Sequence, residues 1–88
     1  MKVLILYRSH SDHGREVETY AAEFKHRCSG VKLEMQDLNT REGAATASLY
    51  DIMAYPAVLV LQDDGVASMV WQGKMLPLID EVAGYALA

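Results

Sequence analysis

The sequence predicts a single α/β domain, residues 1–88, with a four-stranded mixed sheet in the order 2-1-3-4 and helices on both faces. Two observations carry most of this prediction. Residues 3–7 and 57–61 form continuous apolar runs with the length of strands that are covered on both faces. Segments with the apolar period of a helix follow the first run and precede the second. The two runs are therefore expected to form the inner pair of the sheet.

The first helix is predicted to follow the polar segment 8–14. Apolar residues then recur with the spacing of one helix face, at Val17, Tyr20, Ala21, Phe24 and Cys28. Asp12 is the expected N-cap, because a carboxylate there accepts hydrogen bonds from the first free N–H groups. Ser29 and Gly30 are expected to end the helix.

The middle of the chain predicts an edge strand and a second helix. Residues 31–36 alternate between apolar and polar side chains, which indicates a strand with one covered and one exposed face. Asn39 with Glu42 three residues later resembles a capping box. The expected apolar face of the helix comprises Ala45, Leu49, Ile52 and Met53. The helix should end before Tyr55, because a residue that precedes proline avoids helical geometry.

The last third of the chain predicts a hairpin and a final helix. Residues 63–65, Asp-Asp-Gly, are typical of the turn between two antiparallel strands, here 57–61 and 67–72. Pro77 lies near the start of the last helix. The expected apolar face of that helix comprises Leu78, Ile79, Val82, Ala83 and Ala86. The complete order is βαβαββα, with two parallel and two antiparallel strands and short connections.

Charge and cysteine content exclude several classes of function. The net charge is −4 and the basic residues are scattered, so the electrostatic attraction that drives nucleic-acid binding is missing. No apolar run approaches the ~20 residues of a membrane-spanning helix. Cys28 is the only cysteine, so the chain can form neither an internal disulfide nor a multi-cysteine zinc site. We expect a cytoplasmic protein without a membrane or nucleic-acid partner.

From residue 31 to residue 85 the order of elements resembles the second half of the thioredoxin fold. The run 50–61, YDIMAYPAVLVL, carries most of the resemblance, since a helix ends shortly before a proline that opens an apolar strand. Gly65 and Gly73 match the hairpin turn and the position opposite the proline. The resemblance implies a thioredoxin-like fold with Pro56 in the cis conformation. It also implies that the backbone at Tyr55 pairs with an extended peptide or a glutathione-like ligand.

The chain departs from the redox-active members of this superfamily in the segment 8–14. Those members carry a cysteine at the start of the first helix, where free N–H groups and the helix dipole stabilise a thiolate. Here the segment reads RSHSDHG. Cys28 lies at the other end of the predicted helix, about 20 Å away at ~1.5 Å per residue, on the apolar stripe. We interpret Cys28 as a small core residue and the chain as redox-inactive.

The candidate binding site combines this loop with the proline step. It comprises Ser9, His10, Ser11, His13, Tyr55 and Pro56. The expected partner is another protein or an extended peptide, and the sequence assigns no catalytic residue, no metal and no cofactor. His10, Asp12 and His13 could also bind a metal or transfer protons, but no further ligand is evident, and solvated loop histidines are the preferred interpretation.

Three alternatives stay open at this point. Ser9, Ser11 and the first helical N–H groups could hold an anion, although no glycine-rich phosphate motif is present. The chain could be an atypical thiol–disulfide or glutathione-linked redox protein that uses Cys28, which would require an exposed thiol. An edge strand or a helix face could instead serve a structural role, and the sequence does not determine the oligomeric state.

Overall fold

The computed structural model describes residues 1–73 and 75–87. Its elements are β1 (Lys2–Tyr7), α1 (Gly14–Arg27), β2 (Lys32–Asp37), α2 (Arg41–Leu49), β3 (Ala57–Leu61), β4 (Ala67–Gln72) and α3 (Ile79–Ala86). The sheet has the strand order β2-β1-β3-β4, which confirms the predicted order and the predicted inner pair. Within the described residues, no helix has the length and apolar character needed to cross a membrane.

The register of the sheet brings the carboxyl ends of β1, β2 and β4 and the start of β3 to one edge. β1 is parallel to β2, and Tyr7 pairs with Asp37 at their carboxyl ends. β1 is antiparallel to β3, and Leu6 lies opposite Ala57, the first residue of β3. β4 is antiparallel to β3, and Gln72 pairs with the same Ala57. The loop after β1 and the segment before β3 therefore meet at this edge.

The core consists of one apolar layer on each face of the sheet. Val3 and Ile5 of β1 belong to the layer that also contains the buried side chains of α1 and α3. Leu4 and Leu6 belong to the opposite layer, which is covered by α2. Burying an aliphatic side chain of this kind stabilises the folded state by about 1.5–3 kcal/mol. The alternation in β1 thus places helices on both faces, as predicted.

The start of α1 differs from the expectation. The predicted cap, Asp12, is exposed, and α1 begins at Gly14 without a side-chain cap. The reason is a tight turn ahead of the helix, in which the Gly14 N–H donates to the carbonyl of Ser11 at 3.1 Å. The Ser11 carbonyl thus accepts from an N–H group that was expected to donate to the Asp12 carboxylate.

The start of α2 also differs by one residue. Thr40, not Asn39, is the N-cap, and its hydroxyl oxygen accepts the Gly43 N–H at 3.0 Å. The predicted pairing of Asn39 with Glu42 is therefore wrong. The Asn39 N–H instead donates to the side chain of Asp37 at 2.9 Å, which holds the turn that leads into the helix.

The predicted apolar face of α2 is wrong as well. Ala45 is exposed, the Leu49 side chain is 73% exposed and that of Met53 is 88% exposed. The residues of α2 that face the sheet are Gly43 and Ala47, because α2 lies so close to the end of β2 that only glycine fits at position 43. This close approach sets the rotation of the helix and turns Ala45 and Leu49 outward, whereas Met53 lies after the end of the helix.

The helix ends carry two further differences. α2 ends at Leu49, well before Tyr55, and Ile52 reaches the core from the segment that follows the helix. Leu78, predicted to lie on the apolar face of α3, is at the N-cap position and is 75% exposed. Ile79 and Val82 of α3 are buried as expected.

Two helical glycines give opposite predictions for the same substitution. A β-carbon at Gly43 would overlap the backbone carbonyl of Asp37, whereas a β-carbon at Gly84 would meet no atom. Gly43→Ala should lower the free energy of unfolding by about 1–3 kcal/mol through overpacking. Gly84→Ala should raise it by about 0.5–1 kcal/mol, because alanine favours the helix. Urea denaturation of both variants checks this, and a stabilised Gly43→Ala would contradict the packing of α2.

Candidate functional site

The segment before β3 presents Tyr55 and Pro56 at the edge of the sheet. The Tyr55–Pro56 peptide bond is cis, and Pro56 is buried. The Pro56 carbonyl accepts the Gly73 N–H at 3.2 Å. Gln72 accepts with its side-chain oxygen from the N–H groups of residues 53–54, at 2.8 and 3.0 Å. The end of β4 therefore holds this segment through hydrogen bonds to the backbone of the segment.

The loop after β1 is held by hydrogen bonds to the backbone of Arg8. The Arg8 carbonyl accepts from the Ser11 hydroxyl at 2.7 Å and from the Ser11 N–H at 3.3 Å. The Arg8 N–H donates to Nε2 of His13 at 3.0 Å. Nε2 of His13 is the acceptor of this bond, so the His13 side chain connects the two ends of the loop. The loop thus has a defined shape before any partner binds.

Tyr55 lies between side chains of this loop. The Arg8 guanidinium carbon is 4.5 Å from the centroid of the Tyr55 ring. The His13 ring is tilted by 58° against Tyr55, with 5.7 Å between the ring centroids. A cation–π contact at an exposed site contributes about 0.5–1 kcal/mol. Tyr55 nevertheless remains 39% exposed, so its ring is positioned but not covered.

Tyr55 separates two pockets. The α1-side pocket has a volume of about 410 Å³ and is lined by Ser11, Asp12, His13, Glu16, Tyr55 and Pro56. The α2-side pocket has a volume of about 220 Å³ and is lined by Arg8, Leu38, Ala44, Ala47, Ile52, Met53 and Tyr55. Tyr55 lines both pockets, and we call the two pockets together the groove beside Pro56.

Asp37 connects the loop to the sheet. Its carboxylate accepts hydrogen bonds from the Ser9 hydroxyl and from the Asn39 N–H. The Ser9 hydroxyl and, to a smaller extent, the Asn39 N–H hold the pKa of the Asp37 carboxyl below its ordinary value of 3.8. The charged carboxylate is therefore the form that the native loop stabilises.

The structure brings together four of the six predicted site residues. Ser11, His13, Tyr55 and Pro56 line the α1-side pocket. Ser9 instead donates to Asp37, and the exposed His10 lines neither pocket. The hydroxyl groups of Ser9 and Ser11 both donate within the protein, so neither is free to donate to an anion in this arrangement.

Arg8 and Gln72 are among the residues of the site that sequence reasoning did not name. Arg8 could have been found, because it directly follows a central strand and so lies at the edge where ligands of α/β folds bind. Gln72 carries no such signal. Its role depends on the pairing of β4 with β3, which places it beside the segment 53–54.

Neither the histidines nor the cysteine form an evident reactive centre. In the parts of the chain that the structure describes, no three His, Cys, Asp or Glu side chains are placed to hold a metal ion. Cys28 is partly buried, packs against the core and follows the last residue of α1. A 14-residue helix is about 20 Å long, so the thiol and the groove lie at opposite ends of α1.

Comparison with known proteins shows the fold. No protein-family model matches this sequence, and no curated protein matches it at a significant level. The structure is similar to the crystal structure of oxidised thioredoxin O2 from Arabidopsis thaliana, with a TM-score of 0.72 and 12% sequence identity. The match covers 96% of this chain and 70% of the thioredoxin chain. The chain therefore has a thioredoxin-like fold, with a single cysteine that lies outside the segment 8–14.

The hydrogen bonds to Asp37 predict how stability depends on pH. In the folded state the pKa of Asp37 lies below its ordinary value of 3.8. The ionised carboxylate therefore contributes its full stabilisation above pH 3.8, and this stabilisation is lost as the pH falls through the lower pKa of the folded state. The free energy of unfolding of Asp37→Asn should therefore fall less than that of the wild type as the pH is lowered below about 4. Urea denaturation across the acid range measures this.

The matched control is Asp12→Asn, which replaces an exposed carboxylate on the same loop. It should keep the pH dependence of the wild type. The pH dependence of Ser9→Ala should lie between those of the wild type and Asp37→Asn, since this variant removes one of the two donors to the Asp37 carboxylate. Identical pH dependence of Asp37→Asn and the wild type would contradict a stabilising role of the Asp37 carboxylate.

Proposed function

We propose that this chain is a redox-inactive, thioredoxin-like binding module that takes an extended segment of another protein in the groove beside Pro56. The observation that carries this proposal is that Tyr55 has an exposed side chain and, within the described residues, unpaired backbone groups. Its side chain is exposed between two pockets, and its backbone N–H and C=O form no hydrogen bond with any described residue, 1–73 or 75–87. An extended peptide can pair with such a backbone while its side chains enter neighbouring pockets.

The rigidity of the groove supports this proposal. Gln72 and Gly73 hold the segment that carries Tyr55, and the hydrogen bonds to the Arg8 backbone hold the opposite loop. A surface that is already ordered loses less conformational entropy when a ligand binds. Tyrosine also suits this position, because it offers a large apolar contact with a polar tip and few rotatable bonds.

The lack of thiol chemistry at the groove supports the redox-inactive part of the proposal. The segment 8–14 contains no cysteine. Cys28 lies at the carboxyl end of α1, about 20 Å from the groove at ~1.5 Å per residue. The alternative is a redox protein that uses Cys28. The observation in its favour is that Cys28 is partly rather than fully buried.

The binding proposal predicts a specific effect at Tyr55. A peptide selected from a random library against the wild-type chain should bind Tyr55→Ala about tenfold more weakly or worse, as truncation of a central aromatic contact does. The matched control is Tyr85→Ala, because Tyr85 on α3 is similarly exposed, at 44%. It should bind like the wild type in titration calorimetry.

Backbone NMR of the wild-type chain locates the bound peptide. The largest shift changes should fall on the loop 8–14 and on the segment 51–56. Shift changes confined to α3, or a failure to select any binding peptide, would refute the peptide-binding proposal.

Thiol exchange tests the redox-inactive part. The chain should reduce neither insulin disulfides nor glutathione mixed disulfides, because it has no thiol at the groove. An active thioredoxin serves as the positive control. Turnover that disappears in Cys28→Ser would overturn the proposal in favour of the redox alternative.

A further inference from the structure

The two sides of Tyr55 differ in charge. On the α1 side, Asp12 and Glu16 line the pocket, and neither forms an ion pair within residues 1–73 and 75–87. His13, in the same pocket, accepts a hydrogen bond at Nε2 from the Arg8 N–H. The residues that line the α1-side pocket thus include two carboxylates and no lysine or arginine.

The α2-side pocket has the opposite character. Most of the residues that line it have aliphatic side chains: Leu38, Ala44, Ala47, Ile52 and Met53. Its one charged group is the guanidinium of Arg8, which lies over the Tyr55 ring. An aliphatic side chain can bury apolar surface in this pocket, whereas a lysine or arginine would meet the like charge of Arg8.

We propose that the groove selects segments that carry a lysine or arginine two positions from an aliphatic residue. The inference rests on the proposed peptide-binding function and adds its specificity. In an extended peptide, side chains two positions apart point to the same face and lie about 7 Å apart. That spacing suits two pockets separated by one aromatic ring. The basic side chain pairs with Asp12 and Glu16, and the aliphatic one enters the α2-side pocket.

Charge complementarity decides which side chain enters which pocket. Asp12 and Glu16 attract the basic residue, and Arg8 repels it from the other side of Tyr55. Interactions between exposed charges are weak individually and are screened by salt, so the preference should be strongest at low ionic strength. The contact with the aliphatic residue, in contrast, should depend little on salt.

The experiment begins with a selection from a random peptide library on the intact chain, followed by calorimetry with synthetic peptides. The selected peptides should share a basic residue two positions from an aliphatic one. Replacing the basic residue by glutamate should weaken binding by at least about fivefold at low salt, and less at high salt.

Paired protein variants test each pocket. The double variant Asp12→Asn/Glu16→Gln should bind the basic peptide about fivefold more weakly and with little dependence on salt. The control Glu18→Gln, which changes an exposed carboxylate of α1 outside both pockets, should bind it like the wild type. Ala44→Leu should occupy the α2-side pocket and weaken the aliphatic contact. Ala45→Leu, at an exposed neighbouring position that does not line the pocket, should bind like the wild type.

The outcomes separate this inference from the proposed function. Peptides that bind at Tyr55 without a basic residue, or with an acidic residue in its place, would overturn the specificity and leave the binding function standing. Equal weakening by Ala44→Leu and Ala45→Leu would overturn the assignment of the α2-side pocket. Failure to select any peptide would overturn both.

Discussion

Burial of β1 and β3 on both faces is the constraint on which the rest of this structure depends. Every side chain from Val3 to Leu6 and from Ala57 to Leu61 is buried. Strands of this composition need helices on both sides, and the three helices supply them. The antiparallel pairing of β1 with β3 then brings the end of one strand beside the start of the other. The groove therefore lies where β1 ends and β3 begins.

The groove is held by groups that belong to three different parts of the chain. Arg8 and His13 come from the loop after β1, Asp37 from the end of β2, and Gln72 from the end of β4. Most of these interactions connect side chains to backbone groups, and such bonds hold the shape of a loop. A thioredoxin-like scaffold can thus keep a rigid groove while lacking a cysteine in it, as expected where one fold hosts several functions.

Much of the fold and part of the site could be predicted from the sequence. The two apolar runs predicted the inner strands, and the Tyr55–Pro56 step predicted one wall of the groove. The errors fall where backbone proximity outweighs the side-chain pattern. In α2 the spacing of Ala45 and Leu49 is that of a buried face, yet Gly43 allows a close approach that rotates these side chains outward. A hydrophobic period shows that a helix forms but not which neighbour it meets most closely.

The sequence by itself determined the order of the elements and the strand order, because apolar periodicity and short connections leave few arrangements that bury both inner strands. It also determined that no cysteine stands in the loop after β1. Only the tertiary structure decided that Arg8 lies on Tyr55, that Gln72 holds the segment before Pro56, and that acidic residues line one of the two pockets beside Tyr55 while Arg8 lines the other. Those contacts join residues far apart in the chain, and only the paired strands bring them within reach.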